Sequence, residues 1–128
     1  MFNELNLFSV PLFFCKWEFW ELLFLLIFGH CIADFVLQSR AMGKAKNSTT
    51  NPKEIWIPVM TIHCIIHAGM VFIITGKLWL ALYQFAVHFI IDDFKCRGKL
   101  ADGDNALAKD QILHLFDIFI IAVLFYVI

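Results

Sequence analysis

The sequence predicts an all-α integral membrane protein, an up-down-up-down four-helix bundle preceded by an N-terminal interfacial segment. Two observations carry that prediction. The 128 residues are 61% hydrophobic and 16% aromatic against 16% charged, with a mean hydropathy of +0.77, which is too apolar for a water-soluble domain of this length. Hydropathy then divides the chain into four apolar stretches, 17–38, 55–75, 78–96 and 108–128, each near the roughly 20 residues that cross about 30 Å of hydrocarbon. Together they make one transmembrane domain over residues 1–128.

The opening segment, MFNELNLFSVPLFFCKWEFWE, has neither a basic leader nor a small-residue cleavage site, so it is not expected to be a cleaved signal peptide. Its Trp17, Trp20 and Phe residues suit a helix entering from a membrane interface. The first connection, SRAMGKAKNSTTNPKE, is polar, and Asn51-Pro52 near its end is a helix-start signal. A tight turn, TGK at 75–77, joins the second and third spans, and KCRGKLADGDN, with Gly98 and Gly103, joins the third and fourth. No internal repeat is evident.

Orientation follows from basic residues beside the spans. Arg40, Lys44, Lys46 and Lys53 lie in the first connection, and Lys95, Arg97, Lys99 and Lys109 in or beside the third, against only Lys16 and Lys77 on the other face. The positive-inside rule puts the first and third connections in the cytoplasm and both termini outside, in an inner (cytoplasmic) membrane. A net charge of -1 and the lack of a basic face with interleaved aromatics argue against nucleic-acid binding. Cys15, Cys31, Cys64 and Cys96 form no CxxC pair, three of them lie in apolar runs, and they read as small buried hydrophobes.

The polar residues inside the spans are the unusual feature. All five histidines are there: His30 in the first span, His63 and His67 in the second, His88 in the third and His114 in the fourth. HCIAD sets Asp34 four residues after His30, HFIID sets Asp92 four after His88, and DQILH sets Asp110 four before His114. A four-residue step keeps two side chains on one helix face. At about 1.5 Å per residue from the cytoplasmic end, His30, His63, His88 and His114 fall at one depth, roughly 10 to 14 Å into the membrane. Asp34, Asp92 and Asp110 lie about one turn nearer the cytoplasm and His67 about one turn deeper, so His67 is expected to contribute less.

Imidazole nitrogen with carboxylate oxygen suits a divalent transition metal, zinc first among them. The expected metal residues are His30, His63, His67, His88, Asp92, Asp110 and His114. Asp34, Asp92 and Asp110 are the candidate catalytic carboxylates, as oxygen ligands, as acceptors that orient the imidazoles, or as a base toward a water on the metal. Gln38 and Gln111 read as supporting hydrogen-bonding residues or helix-end caps, and Arg40, Lys95 and Arg97 as interfacial anchors that snorkel to the headgroups.

GHCIADFVLQSRAMGKAK, HCIIH, HFIIDDFK and DQILH, in this order and spacing, resemble the small multispanning bacterial and phage membrane proteins grouped as domain of unknown function 3307. The resemblance runs over about residues 24–118. It implies a helical membrane protein and carries no activity with it. In residue type alone, the chain is similar to small membrane-bound metal-dependent hydrolases.

Three function classes fit these residues. The first is a metal-dependent membrane hydrolase acting on a lipid-linked or amphipathic substrate. The second is a proton or metal-ion transporter, since His and Asp within spans also serve as relays. The third is a non-enzymatic phage or bacterial membrane interaction protein in which the polar pairs only fix helix packing. Membrane lipid is the expected partner in each, and the chain could pair with a second copy of itself.

Overall fold

The computed structural model describes residues 16–99 and 105–128. Among these the chain is all-helical, without a strand. Helix α1 (Phe19–Cys31) runs directly into a π-helical turn (Ile32–Val36). A short α2 (Arg40–Ala45) follows, then α3 (Lys53–Thr75), α4 (Leu78–Cys96) and α5 (Ala106–Val127). The segment expected to lie at the interface falls mostly in residues 1–15, outside the described residues, as does Cys15.

Local chemistry explains where the helices begin and end. The Glu18 N–H donates to Glu21 Oε2 at 3.1 Å, satisfying a backbone donor at the start of α1. Ser39 Oγ accepts from the Met42 N–H at 3.1 Å and caps α2, a one-and-a-half-turn helix inside a connection that reads as a polar loop. Pro52 precedes α3, where its missing N–H costs nothing. At the other end of α3, Gly76 takes φ 67° and its N–H bonds to Phe72 O at 2.7 Å. That left-handed residue turns the chain straight into α4.

Helix α1 packs against α3 and α5, and α4 packs against the same two. Gly29 allows the close approach of α1 to α3, since a Cβ there would lie 3.1 Å from Ile74 Cδ1. At the end of the assembly that holds the Gly76 turn, Leu22, Leu26, Val71, Ile74, Leu80, Ile118, Ile121 and Ala122 form a dry cluster. Lys77 ties the same end together by donating to Phe125 O at 2.9 Å, and the Tyr126 hydroxyl donates to Trp17 O. The outer faces carry exposed Phe24, Phe28, Ile62, Ile65, Leu82 and Phe116, the surface that a hydrocarbon solvent requires.

Two sequence expectations need adjustment. Three helical segments, Phe19–Val36, α3 and α5, are long and apolar enough to cross a membrane. Helix α4 matches them in length, but Asp92, Asp93 and Lys95 gather in its last turns. Cys64 is buried, as expected of a small hydrophobe, whereas Cys31 is exposed on α1 and Cys96 is half-buried. The i, i+4 stripe of His30 and Asp34 takes the inward face of α1, which turns Cys31 outward.

Candidate metal centre

All five histidines are buried at the end opposite the dry cluster, His30 at 4% exposure and the other four at 2% or less. Their rings touch. Ring centroids are 3.6 Å apart for His67 and His88, 4.2 Å for His88 and His114, 4.8 Å for His63 and His67, and 5.1 Å for His30 and His114. His30 and His88, from helices that are not direct neighbours, stand 6.0 Å apart. Each helix achieves this by setting its polar side chains at i, i+4 on the one face that avoids the exposed aromatics.

The carboxylates are buried with them. Asp92, 1% exposed, accepts from Lys46 Nζ on Oδ2, while His63 Nε2 lies 3.2 Å from Oδ2 and His114 Nε2 3.1 Å from Oδ1. Asp110 accepts from Lys95 Nζ at 2.7 Å and lies 3.3 Å from His114 Nε2. Asp34 accepts from Gln111 Nε2 at 2.8 Å and stands 3.6 and 3.7 Å from the Nε2 atoms of His63 and His67. The Gln111 side chain reaches back through Oε1 to His30 Nε2 at 3.2 Å, and Gln84 Nε2 approaches His88 Nδ1 at 3.5 Å.

Bonds of about 2.0 to 2.1 Å in a tetrahedron place neighbouring donor atoms about 3.3 Å apart. Two groups could hold an ion if their side chains drew in toward it, Asp34 with His63, His67 and His88, and His88 with Asp92 and His114, the ligand atoms of each lying within 4.8 Å of one another. His88 belongs to both. Within them, His63 Nε2 and His88 Nε2 share a hydrogen bond at 3.0 Å, one ring donating to the other, while His67 Nε2 is buried without a hydrogen-bond partner. A buried nitrogen without a partner is costly, and a cation would supply one.

Two of the carboxylates carry an ammonium partner, Asp92 with Lys46 and Asp110 with Lys95, whereas Asp34 faces Gln111 and imidazoles, the mixture of oxygen and nitrogen donors that a divalent transition metal takes. The residues present therefore fit a divalent metal.

The arrangement differs in three respects from a count of helix depths. His67 joins the first group, whereas His30 lies outside both and bonds to Gln111 instead. Side chains lean toward the N-terminus of their own helix, so on oppositely running helices His67 and Asp34 lean toward each other and close the one-turn gap. Lys46, which reads as a loop charge, is 5% exposed and turned inward against Asp92. Lys95 likewise pairs with Asp110 rather than reaching outward. No periodic signal marks Lys46, because α2 and the turn after it, not a long helix, bring it to the centre. Gln111 supports Asp34 and His30, while Gln38 sits over the site without a bond to it.

Over residues 22–128 the chain matches the family model described as protein of unknown function (DUF3307). No curated protein and no solved structure matches it. The matched stretch takes in every histidine and carboxylate of the centre just described, and the chain belongs to the DUF3307 family.

Proposed function

We propose that the chain is a membrane-embedded metal-dependent hydrolase, with α1, α3, α4 and α5 crossing a bacterial inner membrane as an up-down-up-down bundle. In this reading α2 and the α4–α5 connection face the cytoplasm and both ends of the chain lie outside, following the basic residues. His63, His67, His88 and Asp34, with His114 and Asp92 beside them, would hold one ion, since His88 turns a single nitrogen, Nε2, toward both groups. The metal supplies a water acidic enough to attack an ester, phosphoester or amide. Asp110, beside His114 but outside both groups, is positioned to take the proton released.

The single observation carrying this reading is the convergence of two ligand groups on His88. The one-ended shape of the polar interior supports an enzyme over a transporter. Toward the dry cluster it narrows, between His67 and Gln84, to a void of about 10 Å³, room for about one water. Beyond that, Leu22, Leu80 and Ile121, all 0% exposed, close the way. Toward α2 it opens into a polar cleft, at the depth where a lipid-linked substrate presents its headgroup.

Elemental analysis after purification in a mild detergent tests the proposal. Bound zinc or another divalent transition metal is expected in the wild type, and none in His88→Ala, which removes the residue common to both groups. The metal-loaded protein is then assayed with p-nitrophenyl acetate, p-nitrophenyl phosphate and an aminoacyl p-nitroanilide. A wild type that holds no metal refutes the proposal. Metal without metal-dependent turnover of any of these probes refutes the enzyme and leaves a binding centre.

A further inference from the structure

The cleft beside the histidines has a composition the metal centre does not explain. It encloses about 270 Å³ and is lined by Gln38, Gly43, Lys46, Asn47, Asp92, Lys95 and Cys96. A lysine that only anchors a helix at a membrane surface extends its ammonium outward to headgroups and water. Lys46 does the reverse, being 5% exposed. An ammonium carries three donors, and among the described residues Lys46 and Lys95 each spend one, on Asp92 and on Asp110. Gln38 adds an acceptor oxygen that is buried without a hydrogen-bond partner, and its amide, turned end for end, offers N–H donors instead.

We infer that this cleft is an anion subsite that seats a phosphate or phosphoester group between Lys46 and Lys95, next to the metal centre. The two ammonium groups come from different elements, the end of α2 and α4, and each gives one donor to a carboxylate, Lys46 to Asp92 and Lys95 to Asp110, which leaves further donors on both for an oxygen in the cleft. Asp92 also lies among the candidate metal ligands, so an ion at the centre shares its charge and releases Lys46 toward an incoming oxygen. Gln38 accepts the O–H of a hydrogen phosphate or donates to a bare phosphoryl oxygen. Exposed Arg40 and Lys44 on α2 raise the local concentration of anions near this end. The use of the cleft for substrate rests on the proposed hydrolase, which it narrows to phosphoester chemistry. The phosphate can belong to a lipid headgroup or to a soluble ester.

The test uses the full chain in phosphate-free maltoside micelles, with equilibrium dialysis of radiolabelled inorganic phosphate and elemental analysis of the same samples. Saturable phosphate binding is expected, weakened about tenfold or more in Lys46→Gln and in Lys95→Gln, the loss that follows removal of a charge-assisted hydrogen bond. Asn47→Asp is the variant least disturbing to the fold. It keeps the oxygen that accepts from Thr49 N at 2.9 Å and Thr49 Oγ1 at 2.7 Å while adding a negative charge to the cleft wall, and it should weaken phosphate similarly even if Lys46→Gln does not fold. Displacement of the label by phosphatidate doped into the micelles identifies a lipid headgroup; displacement by glycerol 3-phosphate alone identifies a soluble ester. Absence of phosphate binding, or unchanged binding in Lys95→Gln and Asn47→Asp, overturns the subsite and leaves any measured metal standing. Phosphate bound by these residues in protein that retains no metal upholds the subsite and removes the hydrolase.

Discussion

Replacing Asp92 by Asn tests the centre at the residue on which most of it depends. The Lys46 and Asp92 side chains are 7% and 2% exposed, so neither is solvated. The amide has nearly the size of the carboxylate and can still accept from Lys46 on one side while its NH2 faces His114 on the other. What it cannot do is neutralise the ammonium. Removing one partner of a buried pair costs about 3 to 5 kcal/mol, and the retained hydrogen bonds put Asp92→Asn at the lower end of that range, about 3 kcal/mol. Lys46→Met removes the stranded charge and keeps the stem that fills the cleft. The double variant should therefore recover about 2 kcal/mol, a coupling well above the few tenths expected of independent sites. Reversible unfolding in maltoside micelles with a rising mole fraction of dodecyl sulfate, followed by circular dichroism, measures all four proteins. Asp92→Asn within about 1 kcal/mol of wild type, with no coupling to Lys46, would falsify the buried pair. The second ligand group would lose its only carboxylate as well, so bound metal should fall in the same variant.

His67→Ala should reduce bound metal and His30→Ala should leave it largely in place, because His67 belongs to a ligand group and His30 bonds to Gln111; elemental analysis giving the opposite order would rule out the assignment. Leu22→Ala and Ile121→Ala, each at a site with no exposure, should destabilise by about 2 to 4 kcal/mol through cavity formation. Their metal content should be unchanged, which separates the dry cluster from the centre. Ser48→Cys in a cysteine-free background should resist an impermeant thiol reagent applied to intact cells, and labelling from outside would reverse the proposed orientation. Protons compete with metal for imidazole nitrogen, so occupancy at limiting free metal should fall as pH drops through the ordinary histidine range near 6.5; occupancy flat from pH 8 to pH 5 would mean the imidazoles are not the ligands.

Hydropathy and i, i+4 spacing already outline much of this molecule. The limits of α4 coincide with the apolar stretch 78–96, α3 and α5 begin and end within two residues of theirs, and the His-Asp pairs at 30 and 34, 88 and 92, and 110 and 114 lie on buried faces. These features are legible because a helix that hides charge must repeat it at the helical period. Lys46 obeys no period, since it reaches Asp92 from 46 residues away in sequence through a six-residue helix and a turn. Its position looks like any other loop lysine. Residue counting sets His67 a turn too deep because it measures where Cα atoms sit, whereas Nε2 lies several bonds away in a direction set by the run of the helix. The exposure of Cys31 is a matter of helix phase, which hydropathy averaged over a span does not resolve.

The π-helical turn at Ile32–Val36, closed by the bond from Leu37 N to Ile32 O at 2.9 Å, acts as a phase absorber. It accommodates one residue more than an α-helical turn does, so deleting Phe35 or Val36 would let the segment continue as plain α-helix with little change in the bearing of Ser39 and α2. The same deletion in the α-helical part of α1, between Leu23 and Phe28, meets no such slack and would carry His30 and Asp34 around the axis by about 100°, away from the imidazoles of α3 and α5. A one-residue deletion should therefore be tolerated in the turn and not in the helix before it.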